Sequence, residues 1–206
     1  MGSLTNQEIS IDGPVEVDLL PTPRATITEI SLRDHEADFA REYFYIGSIT
    51  LKVDLTKLFL GKPIVDRVSI NQLRFRVQTD RSDQVGGLLS KNLAEVQNNW
   101  PLALLPGRLE ITDSEIELTN PVSNAVEVIQ IQDLEILPST TVANITTTAS
   151  FRGDLLQMEG SLGDLSRWVN GDPALISVKY NFGDMRGELS GSVGQISVSY
   201  THLRAH

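Results

Sequence analysis

Ile27-Thr28-Glu29-Ile30-Ser31-Leu32, Ile70-Asn71-Gln72-Leu73-Arg74-Phe75 and Ile131-Gln132-Asp133-Leu134-Glu135-Ile136 repeat one spacing: apolar, two polar, apolar, polar, apolar. In a β-strand successive side chains point to opposite faces, so two polar residues in succession shift the parity of everything after them. Keeping all three apolar residues on one face requires a β-bulge or a corner, and either bends the sheet. Two separate strands joined by a dipeptide turn would show the same spacing. Recurrence favours the bent strand, and Leu109-Glu110-Ile111-Thr112-Asp113-Ser114-Glu115-Ile116 reads as a weaker fourth copy.

Around these motifs apolar and polar residues alternate, as in Ile9 and Ile11, in Val15, Val17 and Leu19, in Ile49, Leu51 and Val53, and in Ile176, Val178, Tyr180 and Phe182. Period two marks half-buried strands, and the intervening Gly, Pro, Asn and Asp residues divide the chain into roughly nine to twelve of them. One longer helix is expected over 82–99, where Val85, Leu88, Leu89, Leu93 and Val96 share a face and Pro101 follows. Two short helices are expected from a repeated motif, Asp54-Leu55-Thr56-Lys57 through Gly61 to Pro63 and Asp164-Leu165-Ser166-Arg167 through Gly171 to Pro173. In each copy Asp supplies the N-cap, Gly the left-handed C-terminal position and Pro the stop.

So few helices cannot cover so many strands with one apolar face. The expected fold is therefore mainly β: a long, bent, antiparallel-rich sheet forming an open groove or a partial barrel or sandwich, with one longer and two short helices. An apolar trough left open would mark a binding surface.

Composition narrows the function classes. A net charge of -10 opposes a nucleic-acid partner, which needs a Lys/Arg footprint. With no cysteine there is no disulfide, thiolate nucleophile or Cys-based zinc site. No apolar run is long enough to cross a bilayer as a helix, and residues 1–5 lack the basic and apolar regions of a signal peptide.

The stretch from Ile9 through Gly13, Pro21 and Pro23 to Ile27 and Leu32 resembles the first periplasmic segment of AsmA-family proteins, in which a Gly-containing strand leads through proline to I-x-x-I-x-L. Ile46 to Val77 is similar to that family's strand, short helix with glycine, and returning strand. Gly163 to Gly171, followed by Met185 to Gly194, is similar to its later repeats. The resemblance spans about residues 9–197 and rests on alternation and placed glycines, with no catalytic signature. It implies a β-groove on the periplasmic side of the inner membrane of a diderm bacterium, with roles in outer-membrane biogenesis and phospholipid transfer. Family members carry a transmembrane helix just before the first strand, so the anchor is implied and is not in this sequence. Residues 1–197 form the expected domain, and 198–206 read as a non-native tail.

Residues that could suggest chemistry have plainer readings. His35, the one histidine outside that tail, lies in a polar run, Arg33 to Asp38, without the converging ligands a metal needs. Asp113, Glu115 and Glu117 alternate with Ile116 and Leu118, the pattern of a strand's solvent face rather than of an acid–base pair. Glycines 183, 187, 191 and 194 lack a phosphate-cradle pattern and suit turns and bulges. Trp100 and Trp168 suit packing. No catalytic residue, metal or cofactor is expected. The groove-lining candidates are Ile27, Ile30, Leu32, Ile49, Leu51, Val53, Ile70, Leu73, Phe75, Ile116, Leu118, Ile131, Leu134 and Ile136. The expected partner is a phospholipid or other acyl-chain lipid, with the inner membrane and other envelope proteins beside it. The rival expectation is a non-enzymatic scaffold, the same sheet closed into a dry sandwich.

Overall fold

The computed structural model describes residues 7–20, 22–34, 41–54, 56, 65–78, 106–120, 123–139, 141–163, 172–193 and 198–205. They form twelve strands in one open sheet: β1 (Gln7–Ile11), β2 (Val15–Asp18), β3 (Arg24–Asp34), β4 (Arg41–Val53), β5 (Val65–Gln78), β6 (Arg108–Thr119), β7 (Val126–Pro138), β8 (Val142–Phe151), β9 (Asp154–Gly163), β10 (Ala174–Phe182), β11 (Met185–Val193) and β12 (Val198–Ala205). Their order in space is their order in sequence, with β1 and β2 both pairing β3. Every neighbouring pair is antiparallel except β5 and β6, which run parallel. The mainly β expectation holds, and the described residues include no helical element. The helix expected over 82–99, most of both short-helix motifs, His35, Trp100 and Trp168 lie outside the described residues. Asp54 does accept hydrogen bonds from the backbone N–H and the hydroxyl of Thr56, at 2.9 and 2.5 Å, as an N-cap would. The chain end read as a tail pairs with β11 through its backbone, Val193 opposite Val198.

The parity shift in the repeated motifs has a backbone cause. Glu29, Gln72 and Asp113, the third residue of each motif on β3, β5 and β6, take left-handed φ angles of 53, 57 and 49°. These residues lie in step. Between the partners Thr28–Ser48 and Ile30–Ile46 sit Glu29 and Gly47, and between Ser48–Asn71 and Ile46–Leu73 sit Gly47 and Gln72. Asp113 and Gln132 continue the line on β6 and β7. A crease thus crosses five strands, each carrying one extra residue, and at β1 and β2 it meets the break at Asp12-Gly13-Pro14. There Asp12 N donates to Glu29 O at 2.9 Å and Thr28 N to Pro14 O at 3.3 Å. At the other side the extra residue is absorbed by a bulge, with Ile131 opposite Ala149 but Asp133 already opposite Thr148. A bulge was one expected device; a file of left-handed residues in register is the one used along most of the crease.

Two buried hydroxyls repair the ladder where the crease breaks it. At the parallel junction Leu73 N donates to Ser114 Oγ at 3.0 Å, and Ser114 Oγ donates to Thr112 O at 2.8 Å. At the bulge Thr147 Oγ1 donates to Asp133 O at 2.8 Å. Ser114 explains why the fourth motif looked weak, since a serine stands where the other copies have Ile or Leu. Space is the second requirement: a Cβ on Gly13 would lie 2.3 Å from Thr28 Oγ1 and 2.7 Å from its carbonyl oxygen.

Ser114→Ala is expected to cost about 1–3 kcal/mol, because it orphans the part-buried Leu73 N–H. Gly13→Ala is expected to cost about 1–3 kcal/mol through overpacking. Equilibrium urea unfolding measures both, and values within error of the parent would deny the crease its repairs.

Candidate functional site: an uncovered apolar face

On β8 the residues Ile145, Thr147, Ala149 and Phe151 alternate strictly and so share one face. Register connects each to a row across the sheet. The first runs Val17, Ala25, Leu51, Val68, Leu109, Ile136, Ile145, Gly160, Val178 and Leu189. The second runs Val15, Ile27, Ile49, Ile70, Ile111, Leu134, Thr147, Met158 and Tyr180. Beyond the crease the third row runs Ile11, Ile30, Ile46, Leu73, Ser114, Ile131, Ala149, Leu156 and Phe182. The fourth includes Phe44, Phe75, Ile116, Ile129 and Phe151, with the backbone of Leu32 in register.

Twelve of the fourteen expected lining residues therefore fall in these four rows. Val53 pairs with Val65 beyond the first row, and Leu118 lies past the fourth, opposite Glu127. Sequence reasoning missed Phe44, Ile46, Val68, Ile111, Ile129 and Ile145. For Ile46 the signal was present, because Ile46-Gly47-Ser48-Ile49-Thr50-Leu51 has the same spacing as the quoted motifs. Edge-to-face packing of Phe44 on Phe75, with ring centroids 6.1 Å apart, joins β4 to β5 on this face.

No second layer covers the rows among the described residues. The only buried apolar residues there are Ile46, Ala143, Ala149 and Ala174, and no large side chain falls below 2% exposure. Ser114 and Thr147 are buried too, most other described row side chains are half-buried, shielded by their neighbours in the sheet, and at the edge Ile11, Val15 and Val17 are 51%, 59% and 62% exposed.

The opposite face is polar and tied by charge. Across the parallel junction Arg74 meets Glu115 at 3.4 Å, Arg76 meets Glu117, and Glu110 accepts from Ser69 at 3.0 Å and pairs Arg67 at 3.5 Å. Arg108 bridges Glu110 and Glu135 at 3.4 and 3.0 Å. Glu115 and Glu117 are thus on the solvent face, as their alternation implied, and serve the register of β5 on β6. Of the glycines weighed as turns or bulges, Gly183 has φ 54° in the β10–β11 hairpin, whereas Gly187 lies beneath Tyr180, whose hydroxyl would be 2.5 Å from a Cβ.

If the face is open, Phe75→Ala should cost about 1–2 kcal/mol, below the ~3–5 typical of a buried phenylalanine, while Ile46→Ala costs about 2–5 kcal/mol. Urea unfolding of the two variants decides it, and a full core-sized loss at Phe75 would mean that the row is covered. No family model matches this chain, and no curated protein matches it.

Proposed function

We propose that the chain is a non-enzymatic lipid-handling module of the AsmA type, whose apolar face shields acyl chains during phospholipid transfer and outer-membrane homeostasis. The observation that carries this reading is the continuity of apolar rows across the sheet without a covering layer among the described residues. Removing a methylene from water yields about 0.8 kcal/mol, and a chain lying on an open face gains about half of that per group. Such binding needs no specific pocket, so a chain can slide from row to row while its head group stays in water. The crease supports the same reading, since a bent sheet forms one wall of a groove. The module then works on the periplasmic side of the inner membrane, tethered by a preceding helix and assisted by other envelope proteins.

Leu51→Glu and Phe75→Glu are expected each to abolish cross-linking to a photoactivatable phosphatidylethanolamine while circular dichroism keeps its β signal. Unchanged cross-linking would rule out this lining. Phospholipid in organic extracts of the purified chain, seen by mass spectrometry, supports lipid handling; a protein held on the same face with no lipid supports the scaffold.

A further inference from the structure

The polar face carries a trench at the crease. Gln72, Asp113 and Gln132 form one wall and Arg74, Glu115 and Gln130 the other, with Ser114 and Ile131 between them, enclosing about 400 Å³. The walls are residues i and i+2 of three adjacent strands, so they stand about 7 Å apart and the trench runs about 10 Å across the strands. The volume of about 400 Å³ is enough for one sugar ring.

The walls are held in place by their own contacts. Asn71 Nδ2 donates to Asp113 Oδ2 at 3.1 Å, and Arg74 pairs with Glu115 at 3.4 Å while stacking on Tyr45, its guanidinium carbon 5.1 Å from the ring centroid. Gln132 Nε2 donates to Ser150 Oγ at 3.1 Å, and Ser150 Oγ donates to Gln130 Oε1 at 3.4 Å. These bonds leave the Gln130 amide N–H₂ and the Gln132 carbonyl to the trench, a donor and an acceptor side by side. Gln72 lines the same wall, with its amide oxygen lying over Gly47 on β4. Two carboxylates against one guanidinium disfavour an anion, and walls made of amides and charges disfavour an apolar group. Hydroxyl groups, which donate and accept at once, suit such a lining. We propose that the trench binds one ring of a neutral sugar, on the face opposite the apolar rows and independently of them.

Saturation-transfer NMR on the full chain with glucose, galactose, mannose and N-acetylglucosamine tests this. At least one sugar should receive saturation, and the double variant Gln130→Ala/Gln132→Ala should weaken its binding at least tenfold. Glu159→Gln, exposed and outside the trench, should leave binding unchanged. Both glutamines are exposed, and a thermal melt reports whether the double variant folds; Gln132→Ala alone serves if it does not. The proposal is overturned if none of the four sugars receives saturation, if binding survives the glutamine substitutions, or if inorganic phosphate displaces the sugar.

Discussion

Five neighbouring strands, β3 to β7, carry one residue more between their second and third apolar rows than β8 to β10 do, and the sheet stays continuous because those extra residues lie in step. An extra residue in a single strand would force a mismatch with both neighbours. Placed in file, the residues cancel each other's mismatch, and only the boundary with β8 needs a bulge. Magnitudes favour this solution. A left-handed residue costs roughly 1–2 kcal/mol, whereas an uncorrected parity shift would turn every later apolar side chain of that strand to the polar face, at about 1 kcal/mol each for a half-buried group. Two such side chains per strand already offset the strain.

The polar contacts follow from the crease. Ser114 and Thr147 are the polar members of otherwise apolar rows, and both are buried, at 5% and 7% exposure. Each stands where the ladder is interrupted and bonds the backbone group left over. The ion pairs between β5 and β6 reinforce the parallel junction, whose slanted bonds are slightly weaker per residue than an antiparallel ladder's. Exposed pairs of this kind contribute little stability individually, roughly 0–1 kcal/mol, so their larger effect is to select one register.

Much of this was legible in the sequence. Alternation marked the strands, and paired polar residues before Ile30, Leu73 and Leu134 located the bend, because side-chain parity is a local property that a single chain displays. The copy at Ile46 keeps the spacing, with Gly47 in a polar position where its missing side chain makes room for Gln72, and the copy at Ser114 is masked by a residue chosen for its hydroxyl. Which strands become neighbours is not a local property. The parallel pairing of β5 with β6 separates partners by a long connection, and only afterwards does the complementarity of Arg74 and Arg76 to Glu115 and Glu117 become visible. The open sheet likewise depends on what does not pack against the rows, which no residue records.

The bulge at Gln132 also divides the molecule by how it can change. On the β3–β7 side an inserted or deleted strand must carry the extra residue at the matching height, or the crease is broken on both flanks. On the β8–β11 side strands keep strict two-residue spacing, and β8 and β9 are joined through Arg152-Gly153, whose left-handed φ angles of 53 and 89° suit a two-residue turn. Whole hairpins can be gained or lost there without disturbing any row. The sheet therefore has one end whose length evolution can vary hairpin by hairpin and another whose strands must be inherited as a block.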